Sequence, residues 1–247
     1  MREQLLKNCN SLLAAYKTGA LGQTRMPEDS NPAFSDEQTE MRLSYFTLPM
    51  ALNYQRDSYK LWEAALKTWY DADTKGVFDV DLVSKMPDEE LRGKLLKYKL
   101  ALQPNKHIEI WKMIVGTIRS EWGSFSNFIK ATDEDFITLK DLVQVKNKKG
   151  FPYLSGPKIF NYWSFILGEY GKIHLKNRDY IEIAPDTHIT QCSILLGVVT
   201  EDEATLLSKE EISERWRVLL KGSGIAPIEM HSPLWFWSRN GFVYTLR

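Results

Sequence analysis

The stretch DLVQVKNKKGFPYLSGPKIFNYWSFIL, residues 141–167, carries two helical apolar patterns separated by a Gly- and Pro-rich turn. It reads as helix, hairpin, helix. Lys158 opens the second helix, ahead of the apolar run Ile159, Phe160, Tyr162 and Trp163. A helix N-terminus favours negative charge, so a lysine there is either an ordinary solvated residue or one placed for chemistry. Backbone N–H groups at such a turn, that of Gly156 included, can hold a phosphate oxygen without any side-chain charge. Over 140–160 the lysines Lys140, Lys146, Lys148, Lys149 and Lys158 face Asp141 alone. A phosphodiester backbone would bind there, although a lone lysine run such as KNKKG is more commonly a solvated loop.

Outward from this segment the helical period dominates the chain. Residues 58–71, 87–102, 107–129, 155–171 and 208–224 repeat apolar side chains at three- and four-residue intervals. Pro87 and Asp88 mark a helix start, and the glycines at 222 and 224 a stop. Strand-like alternation is confined to short pieces such as DYIEIAP (179–185), and 21–38 is the longest irregular segment. The expectation is an all-α protein of about ten helices.

Composition removes several function classes. Basic and acidic residues number 32 each, so no global field draws a polyanion and a local patch must do so. No apolar run reaches a membrane-spanning length, and the polar-interrupted amphipathic start does not read as a signal peptide. Cys9 and Cys192 cannot ligate an iron–sulfur cluster or form a CxxC zinc site, and Cys192 reads as core. His107, His174 and His231 have no partners at metal spacing. Neither metal nor cofactor is expected, and a reducing intracellular setting is.

Further along, IEIAPDTHITQC (181–192) is a short extended piece, a proline, then Asp186 and a helix with His188 in its first turn. Taken alone, Asp186 is a helix cap. Together with the lysine hairpin it resembles the HhH-GPD DNA glycosylases, most closely the bifunctional 8-oxoguanine glycosylase/lyases. The 158-to-186 separation is longer than in the eukaryotic enzymes and nearer an archaeal branch. The order of FTLPMALNYQRDSYKLWEAALKTW (46–69), VDLVSKMPDEELRGKLL (80–96) and GIAPIEMHSPLWFWSRNGF (224–242) is similar to the family's as well. Gly156 keeps the hairpin's second glycine, whereas Leu154 stands in place of the first. A bulky residue there is expected to bend the turn or hold the backbone away from a phosphate.

The resemblance implies two helical lobes with an active site in the cleft between them, residues 1–40 forming an added helix and loop and 41–247 the glycosylase-like region. Lys158 falls on the catalytic lysine, Asp186 on the catalytic aspartate, and His188 on a histidine near a backbone phosphate, joining Gly156, Lys146, Lys148 and Lys149 there. Asn53, Tyr54, Gln55 and Arg56 would fill the gap left by a flipped base. Trp235, Phe236 and Trp237 would line the base pocket, although any one of them reads more readily as core packing, and Trp235 and Trp237 cannot share a helix face, so that one packs inward while another faces the pocket. A carboxylate would stabilise the oxocarbenium-like transition state of base release. The lysine would attack C1′, its amine kept partly neutral by apolar surroundings and the helix terminus. The implied activity is a monomeric DNA glycosylase with AP lyase activity, acting on double-stranded DNA bearing a damaged purine such as 8-oxoguanine. Its setting would be the cytoplasm, on the nucleoid in a prokaryote. A non-catalytic helix–hairpin–helix binding module, and an N-glycosidase acting on a free modified nucleoside or RNA base, remain the alternatives.

Overall fold

The computed structural model of the protein describes residues 2–246. Among the described residues it is all-α, with thirteen α-helices. In chain order these are α1 (Arg2–Lys17), α2 (Thr39–Ala51), α3 (Ser58–Tyr70), α4 (Val80–Lys85), α5 (Asp88–Lys97) and α6 (Lys106–Glu121). There follow α7 (Phe125–Ala131), α8 (Phe136–Asp141), α9 (Pro157–Glu169), α10 (Thr187–Leu195), α11 (Glu201–Leu206), α12 (Lys209–Leu220) and α13 (His231–Arg239). The count exceeds about ten because patterns that read as continuous are interrupted. The 107–129 pattern breaks at Gly123, whose φ is +79°, and restarts when the Ser124 hydroxyl accepts the Asn127 N–H at 3.1 Å. No helix among the described residues is long and apolar enough to cross a membrane.

The chain divides into two compact units, one taking the chain up to Arg25 and again from Asn177 onward, the other Met26–Lys176. The first segment of one unit thus ends at Arg25. The amphipathic face of α1 explains it: Leu5, Cys9, Leu12 and Ala15 are buried where α1 packs on α13 and α12. Residues 26–38 belong to the other unit, where Phe34 packs edge-on against Tyr45 and Trp69, with centroids 5.4 and 4.8 Å away.

In the 26–176 unit α2 is buried from Arg42 to Ala51 and is the helix around which the rest is laid. Tyr45, Phe46, Trp62, Trp69 and Phe78 form its aromatic core. α9 packs on α2, and the Trp163 indole N–H donates to Thr47 Oγ1 at 3.1 Å. The 21–38 segment is less a loop than a plug. Its two short 3-10 turns, Pro27–Asp29 and Asp36–Gln38, bring Glu28 inside, where it accepts the Tyr162 hydroxyl. Burial pushes the Glu28 carboxyl up to about 7, against the opposing pull of that hydrogen bond. A group raised in the folded state gives stability that is complete below its unfolded value and is lost as pH rises through 7. Wild type is thus expected to lose on the order of 3 kcal/mol between pH 4.5 and 8 relative to Glu28→Gln, as read by urea unfolding at a series of pH values.

In the other unit α10 packs on α13, and α13 on α1. The Trp216 indole donates to Ser193 Oγ at 2.8 Å, and Ser213 Oγ donates to the Ile183 carbonyl at 2.8 Å. The alternation in 179–185 does not make a strand. Arg178–Tyr180 is a 3-10 turn and the remainder runs extended, burying Ile181 and Ile183, with Ile181 O accepting the Ile228 N–H at 3.2 Å. Period-two burial needs only one packed face; a ladder also needs a neighbouring strand.

Candidate nucleic-acid interface

Within the 26–176 unit the lysine segment starts in α8, which continues into one π-helical turn over Leu142–Lys146. A 3-10 turn at Lys148–Gly150 and an irregular turn then lead to α9. Phe151 and Leu154 are fully buried and hold the turn down. Phe151 stacks on Phe128 at 5.5 Å, and the Gln144 side chain donates to the Ser155 carbonyl at 2.9 Å. Gly150 lies so close to α6 that an added Cβ would sit 2.5 Å from Thr117 Oγ1. Leu154 is therefore a core anchor, and the left-handed conformation falls on Tyr153 instead, with φ +64°. Leu154→Gly, although it would restore the resembling family's residue, is expected to lower unfolding free energy by about 3–5 kcal/mol in denaturant titration, since it deletes a fully buried side chain.

Gly156 is the N-cap of α9, with φ −69°, and its own N–H is spent on Tyr153 O at 3.0 Å. That corrects its expected role: it has no amide to offer a phosphate. The Lys158 and Ile159 N–H groups, with no hydrogen bond to the rest of the unit, are the donors that could. Lys158 stands at the second position of α9 and is exposed, without an ion-pair or hydrogen-bond partner among the described residues. The expected apolar surroundings are absent at its side chain. Phe160 and Trp163 are buried on the side of the helix facing the unit's core. Lys148 and Lys149 are exposed and have no ion-pair partner among the described residues, while Lys146 pairs with Asp141 at 2.6 Å and is partly neutralised.

The 53–56 segment is the turn between α2 and α3. Tyr54 is 40% exposed and Gln55 projects outward with φ +47°. Arg56 is not available for insertion. Its guanidinium donates to Leu100 O at 2.7 Å and Lys99 O at 2.9 Å, tying this turn to the loop that precedes α6. His107, just inside α6, is buried below it and accepts the Leu102 N–H at Nδ1, 3.2 Å away. Burial, and then the charges of Arg56 and Lys106, bring its pKa down to about 4. Two residues that the sequence reading passed over belong here. Tyr153 meets Tyr54 with ring centroids 5.2 Å apart, and the Lys106 ammonium lies 5.7 and 5.2 Å from the two rings. The Tyr153 hydroxyl beside it holds the Lys106 ammonium above the ordinary lysine range. Lys106 had a legible signal, since it opens α6 as Lys158 opens α9.

In the other unit Asp186 caps α10, accepting the Ile189 N–H at Oδ1, 3.0 Å away. Its second oxygen has no partner among the described residues, and the side chain is half-buried behind Pro185. His188 Nδ1 lies 3.0 Å from Ser238 Oγ, which donates in turn to Gln191 Oε1 at 3.0 Å. Trp235 stands edge-on to His188 at 5.5 Å, with the Arg239 guanidinium 4.6 Å over its ring. Phe236 and Trp237 are buried, Phe236 stacking on Tyr16 at 6.0 Å and Trp237 donating to Tyr244 O at 2.8 Å. Of the three aromatics expected in a base pocket, two are core and Trp235 alone is half-exposed. Cys192 is core as expected, its thiol pushed up to about 12 by burial and then by the Asp186 charge. Among the described residues no cluster of three or more His, Cys, Asp or Glu could hold a metal ion.

Comparison of the chain with protein-family models, curated proteins and solved structures finds no match.

Proposed function

We propose that the protein is a helix–hairpin–helix DNA glycosylase with AP lyase activity, in which α8, the 147–156 turn and α9 form the hairpin. The observation that carries this reading is Lys158, exposed at the first turn of α9 and without a partner among the described residues. An amine held by no carboxylate is free to reach an incoming carbon. Lys158 Nζ, deprotonated, attacks C1′; the C1′–N bond breaks and its electron pair leaves with the base. Ring opening gives an iminium, and loss of a C2′ proton then expels the 3′ phosphate. The resemblance gives Asp186, whose Oδ1 caps α10, the part of the carboxylate that offsets the developing oxocarbenium, and Trp235 that of a stacking face for an extruded purine.

One observation favours a second reading, a DNA-binding module without chemistry: the Lys158 amine lacks the desolvated surroundings that nucleophilic lysines use. A panel of duplexes bearing 8-oxoguanine, other damaged purines or an abasic site, incubated with and without borohydride, separates the two. Base release with a borohydride-stable protein–DNA adduct is the expected result. Salt-sensitive binding with neither release nor adduct would leave only the module.

A further inference from the structure

Tyr54 and Tyr153 come from two turns of the 26–176 unit and Lys106 from the start of α6, yet they meet at one point. Both turns, and the loop that leads into α6, hold a non-glycine residue in the left-handed backbone region: Gln55 at φ +47°, Tyr153 at +64° and Lys99 at +61°. For a bulky tyrosine this is an outlier, held only where the surroundings over-determine it. Buried groups supply that support. Arg56 ties the Tyr54 turn to the Lys99 loop, His107 fixes the Leu102 amide at the start of α6, and Phe151 with Leu154 pins the Tyr153 turn. What all this scaffolding presents to solvent is two tilted rings and an ammonium. Tyr54 remains 40% exposed and Lys106 has no carboxylate partner among the described residues.

Further lysines stand on the same elements, alongside the exposed carboxylates of Asp57 and Glu109. Gly150 packs against Thr117 of α6, so the turn that carries Lys148 and Lys149 lies against the helix that Lys106 opens. Lys106, Lys148 and Lys149 have no ion-pair partner among the described residues. Aromatic faces beside such lysines are the chemistry that receives an unstacked base and the phosphates on either side of it.

We infer that Tyr54 and Tyr153, backed by Lys106, form a stacking site for an unpaired base of a DNA strand, independent of any lesion. The site needs neither Lys158 nor Asp186. It deepens the glycosylase reading, because extruding one base leaves another unpaired, but it stands without that chemistry.

The test is fluorescence anisotropy with the full-length protein and three lesion-free DNAs: an intact duplex, the same duplex with a one-nucleotide gap, and the single strand. The gapped and single-stranded DNAs are expected to bind 5- to 100-fold more tightly than the intact duplex, the effect of one or two stacked bases. Tyr54→Ala should erase most of that preference and Tyr54→Phe should keep it. Tyr153→Gly should erase it as well while leaving thermal stability unchanged or raised, since glycine accepts the left-handed backbone. Lys106→Gln should reduce the slope of log affinity against log salt by about one. Equal affinity for the three DNAs would overturn the inference, as would an unchanged preference in folded Tyr54→Ala and Tyr153→Gly. The outcome is separable from catalysis. A negative lesion panel with the preference intact removes the glycosylase and keeps the stacking site, whereas lesion cleavage without the preference does the reverse.

Discussion

Lys158→Gln should give no borohydride-stable adduct with an abasic duplex, a complete loss against a readily trapped wild type. The glutamine amide has no lone pair able to form an iminium, so the step is removed rather than slowed. Lys158→Arg is the informative companion. It keeps the positive charge at the start of α9, so it should bind the duplex as wild type does and still fail to trap. If the arginine variant loses binding to the same extent as trapping, the lysine serves as a phosphate contact and not as a nucleophile. Neither change should harm the fold. The side chain is exposed and partnerless, so the unfolding free energy should move by less than about 0.5 kcal/mol.

Asp186→Asn should lower the single-turnover rate of base release by about 10²–10³, with duplex affinity little changed, because the carboxylate is needed most where positive charge develops on the sugar. The structure makes the asparagine variant a clean probe. Asp186 also caps α10 through Ile189 N–H, and asparagine caps a helix about as well as aspartate does. Asp186→Ala, by contrast, should cost about 1 kcal/mol of stability as well as the rate. A normal rate in Asp186→Asn with reduced stability in Asp186→Ala would assign the residue to the cap alone.

Several elements were legible because their causes are local. Asp57, Asp79, Asp135 and Ser208 each precede a helix and each accepts an amide N–H from its first turn. The Pro87–Asp88 start and the Gly222 and Gly224 stop lie where their chemistry puts them. The turn at 147–156 was equally plain, as was the lysine at the head of α9. Misreadings concern which way a side chain points. Leu154 reads as a misplaced hairpin residue and is an anchor, while Arg56 reads as a DNA-facing residue and is a clamp on Lys99 and Leu100. Phe236 and Trp237 read as pocket and are core. Glu28 sat in an irregular segment with nothing in its neighbours to announce that it is buried.

The sequence by itself determined the all-α class, some of the helix starts and stops, and the positions of Lys158 and Asp186 at two helix starts. Periodicity and capping act over three or four residues and can be read directly. Tertiary structure alone decided that Arg25 ends one segment of its unit, that α2 is the buried helix of the other, and that Tyr54, Lys106 and Tyr153 share one point. Those facts depend on contacts between residues far apart in the chain, set by which apolar faces could be buried together.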